Sequence, residues 1–194
     1  MLLPSVVSKM NEIKLTRKNL VIVSIVVIVI VCGIVLWSSR VFGVFGYGVN
    51  IDPNIYYPVN FVVDGDTFKV GVGDSNSQII TIRVLGINTP ETVDPRKPVE
   101  CYGPEASVRG KELLNGHKVK LVFNPDREMK DKYGRYLAYV YIENGPFYNE
   151  AMLKDGYARE YTYGTPYSLQ SEFRALQATA KKEKLGLWSA CTKK

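Results

Sequence analysis

Histidine is nearly missing from this 194-residue chain, His117 being the only one. Cysteine is scarce as well: Cys32, Cys101 and Cys191 stand far apart, and no C-x-x-C pair occurs. These absences exclude zinc, whose sites are built from clustered Cys and His. His117 falls in Asn115-Gly116-His117-Lys118, a helix-ending turn where a solvated surface residue is expected. No internal repeat or low-complexity block occurs. Charge of either sign is missing over one long run, the 18 residues from Leu20 to Trp37. At ~1.5 Å per residue that run spans about 27 Å, close to the ~30 Å hydrocarbon core of a bilayer. No face of it is polar, which argues against a buried core helix.

The run is also followed by no A-x-A-like cleavage site, and it exceeds the ~7–15 apolar residues of a signal peptide. An uncleaved transmembrane anchor over 20–39 is therefore expected, with secretion after cleavage near residue 40 as the alternative. Lys9, Lys14, Arg17 and Lys18 precede the run against Glu12 alone, and after Arg40 no basic residue occurs until Lys69. The positive-inside rule then places 1–19 in the cytoplasm and the rest outside, in a single-pass cell-membrane protein. Residues 40–56, rich in Gly and aromatics with one proline, Pro53, read as a tether to an outer domain over 57–191.

The formal net charge of +6 does not signal nucleic acid by itself. Residues 1–50 hold 5 Lys/Arg against 1 acid, and residues 51–194 hold 20 against 18. The excess flanks the apolar run, so any polyanion partner must be argued from local sites. Cys101 and Cys191 share the outer domain, and in an oxidising compartment they invite a disulfide.

Alternation of apolar and polar residues marks strands near Tyr57–Val63, Thr67–Val72, Gln78–Gly86, Lys118–Phe123 and Tyr136–Ile142. Pro104-Glu105 opens a helix that ends at Asn115-Gly116. Asn149 is expected to cap a short helix ending at Gly156. A last helix runs from about Ser168 to Lys184 with Leu169, Phe173, Leu176 and Ala180 on one apolar stripe. Five short strands with one helix after the third and two after the fifth predict an α+β domain, a five-stranded Greek-key β-barrel of the OB-fold type. Tyr139 and Tyr141 alternate within a strand and read as structural.

The polar residues concentrate in one stretch, Val62 to Glu91. Asp64-Gly65 reads as a tight turn between strands, and Asp66 leaves it at the mouth of the second. Arg83 lies in the third strand, and Asn88-Thr89-Pro90-Glu91 follows as a loop. Carboxylates, an amide and an arginine would meet at one end of a small sheet, a mixture that suits a hard cation and a phosphate ester. On the residues alone, Arg83 and Arg135 could equally be strand-edge arginines pairing with Asp66 or Glu91, and Asp66 could simply cap the hairpin. Tyr161, Tyr163 and Tyr167 could cover a core edge.

Asp64–Thr67 (DGDT), Arg83, Thr89–Glu91 (TPE) and Asp131–Arg135 (DKYGR) resemble the staphylococcal nuclease, or thermonuclease, family. YGPEAS at 102–107, LAYVY at 137–141 and KKEKLGLWS at 181–189 extend the likeness from about Asn60 to Ser189 in the same order. The resemblance implies an OB-fold, Ca²⁺-dependent phosphodiesterase that cuts single- and double-stranded DNA and RNA with little sequence preference. Water would attack phosphorus and the 5′ oxygen would leave, giving 3′-phosphate ends. By position, Asp66, Asn88 and the Thr89 carbonyl would hold the metal, and Glu91 would be the general base. Arg83 and Arg135 would bind the phosphate, with Lys132, Tyr133, Tyr161 and Tyr163 near the nucleotide or its terminal phosphate. A monomer is expected.

The chain departs from the family pattern at Asn88, where an aspartate is usual. One negative charge leaves the metal shell while an oxygen donor stays, so weaker Ca²⁺ binding is expected. A catalytically impaired OB-fold module that only binds nucleic acid is the alternative. The Cys101–Cys191 pair is a second departure, which would clamp the C-terminal helix to the loop behind the site.

Overall fold

The computed structural model describes residues 21–22, 24–33, 49–73 and 76–191. The chain divides into two units, 1–48 and 49–194. Of the first, residues 21–22 and 24–33 are helical with exposed side chains. Among the described residues no helix is long and apolar enough to cross a membrane. The remainder of the expected anchor (20, 23 and 34–39), the N-terminus 1–19 and residues 40–48 lie outside the described residues.

Among the described residues of the second unit, seven strands and four helices follow one another. They are β1 Tyr57–Val62, β2 Thr67–Val72, β3 Gln78–Val84, β4 Ile87–Asn88, α1 Gly103–Leu114, β5 Lys118–Val122, β6 Tyr136–Ile142, α2 Tyr148–Lys154, β7 Arg159–Glu160, α3 Gln170–Lys182 and α4 Leu187–Ala190. Five of the strands close into a barrel in the order β1-β2-β3-β6-β5, with β5 returning to β1 through Tyr57↔Val119. This mixed α+β architecture fits the expected OB-fold. The period-two alternation works as read: Phe68, Val70 and Val72 of β2 and Ile80, Ile82 and Val84 of β3 are buried inside. Within the stretch read as tether, Ile51 is buried against this core and the Asp52 amide donates to the Tyr57 hydroxyl.

Three elements differ from expectation. Leu187–Ala190 adds a fourth helix, because Leu187 buries its side chain and its amide donates to Gly156 O at 2.9 Å. The two-residue strands β4 and β7 pair in a separate small sheet. Asn149 is not a cap: Phe147 takes that position, and Asn149 lies fully buried within α2. Its side chain accepts from the Val140 amide at 2.9 Å and donates to Leu85 O at 2.8 Å, tying α2 to the barrel.

α3 buries Phe173 and Ala180, with Leu169 and Leu176 half-buried at the edge of the core. Phe173 meets the rings of Tyr139, Phe147 and Tyr167 at 6.1, 6.0 and 5.7 Å between centroids. Burying such a phenyl group stabilises by ~2–3 kcal/mol. Tyr139 and Tyr167 therefore belong to the core, while Tyr141 stacks on Phe147 at 4.4 Å. α1 approaches the β1–β2 turn closely. A Cβ at Gly110 would fall 3.1 Å from Gly65 Cα and 2.9 Å from the Tyr148 hydroxyl. The same hydroxyl donates to Gly65 O at 2.7 Å, fixing the turn that carries the site. Cys101 and Cys191 are bonded to each other, joining the loop before α1 to the end of α4.

Candidate active site

The β1–β2 turn is built by its own side chains. Asp64 Oδ1 accepts the Asp66 amide at 3.1 Å, and the Val63 and Asp64 amides both donate to Thr67 O. Asp66 is thereby aimed out of the hairpin, 6% exposed. Its Oδ1 accepts the Thr67 hydroxyl at 2.9 Å, and its Oδ2 accepts the Thr89 amide at 2.9 Å. β2 pairs with β3 so that Thr67 stands opposite Arg83, and Arg83 Nη2 lies 3.1 Å from Asp66 Oδ2. β3 in turn runs parallel to β6, with Arg83 opposite Leu137. Arg135 stands two residues before Leu137, on the same face of the sheet.

A cleft of about 380 Å³ opens over this end of the barrel. All ten residues expected at the site line it: Asp66, Arg83, Asn88, Thr89, Glu91, Lys132, Tyr133, Arg135, Tyr161 and Tyr163. Tyr133 and Tyr163 are largely exposed, at 72% and 62%, so their rings are available to a ligand rather than closing a core edge. Lys132 Nζ and the Arg135 guanidinium lie 5.0 and 5.5 Å from the Tyr133 ring centre.

The two arginines are held differently. Arg83 Nη1 donates to Val84 O and Ile87 O, both at 2.7 Å, while Nη2 reaches Asn88 Oδ1 at 3.0 Å as well as Asp66. Three of its five N–H donors have hydrogen-bond acceptors, and the Asp66 carboxylate stands beside Nη2 as the counter-ion. Arg83 is thus a wired cation rather than an open fork. Arg135 donates Nε–H to Asp131 Oδ2 at 2.7 Å, with Nη2 at 2.7 Å from the same oxygen as an ion pair, and keeps its other donors. Asp131 also accepts the Tyr133 and Arg135 amides at Oδ1, which shapes the tight turn at Gly134. Burial opposes the ionisation of Asp131, yet the Arg135 guanidinium and these amides outweigh it and hold the carboxyl below its ordinary value.

Glu91 turns one oxygen onto its own loop. Oε1 accepts the amides of Thr92, Val93 and Asp94 at 2.8, 2.7 and 3.1 Å, leaving Oε2 without a partner among the described residues. Glu100 clamps the same loop: its amide donates to Glu91 O, and its Oε2 accepts the Glu91 amide. Beside Asp66, Asp64 is raised to about 7, first by burial and then by the Asp66 charge.

Among the described residues no three His, Cys, Asp or Glu side chains form a ready-made cluster. What the cleft offers is the Asp66 carboxylate, the Asn88 amide oxygen and the Thr89 carbonyl, oxygens of the kind a hard cation takes together with water. Asn88 Oδ1 already accepts from Arg83, and Thr89 O accepts from Asn88 Nδ2 at 3.2 Å. Each of these oxygens retains a second lone pair, so the set fits a weakly held calcium-type ion.

Five charged lining residues carry no site role in the sequence reading: Asp64 and Asp131 enter only as parts of a turn and a motif, and Lys97, Glu100 and Arg127 do not enter at all. Arg127 had a usable signal, a basic residue in the loop leading into DKYGR. Glu100 had none, since its amide and its carboxylate meet only the backbone of Glu91.

Residues 81–190 match the model of the family described as staphylococcal nuclease homologue. The chain belongs to this family. Within the staphylococcal nuclease family it is similar to the SPbeta prophage-derived endonuclease YokF of Bacillus subtilis (strain 168), 44% identical over 128 residues, covering 66% of this chain and 42% of that one. It is 41% identical over 133 residues to the thermonuclease of Staphylococcus hyicus, covering 69% of this chain and 75% of that one. It is 43% identical over 128 residues to endonuclease YncB of Bacillus subtilis (strain 168), covering 66% and 58%. The chain thus spans less than two thirds of the length of both Bacillus relatives, whose proteins extend beyond the shared nuclease domain.

Proposed function

We propose that this chain is a nuclease, a phosphodiesterase that hydrolyses DNA and RNA with little sequence preference and requires Ca²⁺. The reading is carried by one observation: two arginines, the Glu91 carboxylate and the Asp66–Asn88–Thr89 oxygens line a single cleft. The names of its relatives, endonuclease and thermonuclease, agree with it.

The residues divide the work by chemistry. Hydrolysis of a phosphodiester loads negative charge onto the phosphoryl oxygens, and fixed cations stabilise it best when already in place. Arg135 supplies free N–H donors, and Arg83, immobilised by three acceptors and the Asp66 carboxylate, supplies a positive charge that needs no reorganisation. Glu91, its Oε1 fixed by three amides, presents Oε2 to orient a water and take its proton. The 5′ oxygen leaves and the product carries a 3′-phosphate. Bound Ca²⁺ would neutralise phosphate charge and polarise water, held by Asp66, Asn88 and Thr89. Tyr133, Tyr161, Tyr163 and Lys132 would receive the base and its flanking phosphate. In this reading residues 20–39 anchor the chain in the cell membrane, with the nuclease domain outside as a monomer.

Purified full-length chain is assayed on single-stranded DNA across a Ca²⁺ titration with an EGTA control. The expected result is cleavage that saturates at ~10⁻⁴–10⁻³ M Ca²⁺, falls at least about 100-fold in Glu91→Gln, and shifts to lower Ca²⁺ in Asn88→Asp. A second reading, a binding module that does not cut, is favoured only by the amide at Asn88. Retention of DNA without cleavage in Ca²⁺ or Mn²⁺ would establish it instead.

A further inference from the structure

Three arginines line the cleft, and one of them has no role so far. Arg83 and Arg135 each sit against a carboxylate, Asp66 and Asp131. Arg127 makes no ion pair among the described residues and lies half-buried in the loop between β5 and β6. Its Nη1 donates to Thr165 O at 2.6 Å, and its Nη2 makes a short bond to Tyr163 O. Two neutral carbonyls therefore fix the orientation of the guanidinium without cancelling its charge. Three of its five N–H donors are left over. A fixed, uncompensated guanidinium with spare donors is a group that takes a phosphate. It is anchored on the backbone of Tyr163, whose ring is 62% exposed in the same cleft. A cation beside an open aromatic face is the arrangement by which proteins hold single strands without reading their sequence.

We propose that Arg127 forms a second phosphate subsite, holding the phosphodiester next to the one bound beside Arg83 and Arg135 in a single-stranded polynucleotide. The proposal rests on the nuclease reading and deepens it. The site grips a strand at two phosphates, so longer substrates bind better than a dinucleotide with only the scissile bond. A rival role for the same bonds is a strut, with Arg127 merely pinning the loop that carries Tyr163.

The test compares octathymidylate with the dinucleotide TpT, using full-length chain at fixed saturating Ca²⁺ over a series of salt concentrations. Arg127→Gln removes the charge; Arg127→Lys keeps the charge but replaces the planar fork, whose two nitrogens donate to the two carbonyls, with a single ammonium. For the octamer, Arg127→Gln is expected to raise KM about fivefold with kcat within about twofold. Its plot of log kcat/KM against log salt should flatten by about 0.7, the value for one phosphate contact on a single strand. TpT kinetics stay at the parent level, and Arg127→Lys keeps the parent slope. Equal losses on both substrates, an unchanged slope in Arg127→Gln, or a lysine variant that loses the slope as the glutamine variant does would overturn the subsite and leave the strut. Failure of the parent chain to cleave either substrate would remove the nuclease reading along with it.

Discussion

Reducing the Cys101–Cys191 bond is the sharpest perturbation available away from the site. The bond closes a loop with a sequence separation of 90, embracing α1 through α4 and the barrel strands β5 and β6. In the chain-entropy treatment, a loop of that length restricts the unfolded state by about 4.5 kcal/mol at 25 °C. A domain of this size shifts its melting temperature by ~2–4 °C per kcal/mol. A fall of about 10 °C or more is therefore expected on reduction. The assay is thermal unfolding followed by circular dichroism, with and without dithiothreitol, alongside the Cys101→Ser/Cys191→Ser double variant. Quantitation of free thiols confirms that reduction has occurred. Parent protein in dithiothreitol and the double variant should melt together, well below the oxidised parent. An unchanged melting point in fully reduced protein would refute the stabilising role, because the 90-residue loop would then cost the unfolded chain nothing. There is also a local effect. Cys101 follows Glu100, which clamps Glu91, so reduction should loosen the candidate base before the barrel unfolds.

Two further outcomes are expected. Asp64 is raised to about 7 from 3.8. The folded state therefore holds this proton more tightly than the unfolded chain, and the associated stability is complete below pH ~4 and lost as pH rises through ~7. In EGTA at pH 8, Asp64→Asn should stabilise by up to about 4 kcal/mol, with little change at pH 4; equal melting temperatures at both pH values would contradict this. Asn149→Ala strands the Val140 amide and the Leu85 carbonyl inside the protein. It should lower stability by about 3 kcal/mol, read as a smaller urea midpoint at constant m; a midpoint like the parent's would show that water replaces the amide.

The barrel was legible because its strands alternate cleanly, and β2 and β6 begin and end where the pattern says. That these polar residues gather at one cleft was legible because DGDT, TPE and DKYGR keep their order. What escaped has physical causes. β4 and β7 are two residues each, too short to show any period. Asn149 looked like a cap because asparagine favours helix starts, whereas here burial beside two orphan backbone groups decides its place. The wiring of Arg83 depends on the carbonyls of Val84 and Ile87, and carbonyls are the same in every residue. Arg127 likewise acts on backbone oxygens, 36 and 38 residues away.

The parallel ladder between β3 and β6 has a bearing on how such a cleft can change. Arg83 lies within that ladder and Arg135 immediately precedes its first β6 residue, Tyr136, so the spacing of the two backbones is set by the sheet, while the Arg135 side chain is held by Asp131 of the preceding turn. A one-residue slip of β3 against its neighbours would turn Arg83 toward the barrel interior. Lys97, Arg127, Lys132 and Tyr163, by contrast, all sit on connections outside the barrel strands. Insertions and substitutions there can alter which strands enter and how far they extend, while the spacing of the central pair stays constant. Variation in substrate preference should accordingly collect in these connections, and variation in β3 and β6 should be confined to side chains facing the interior.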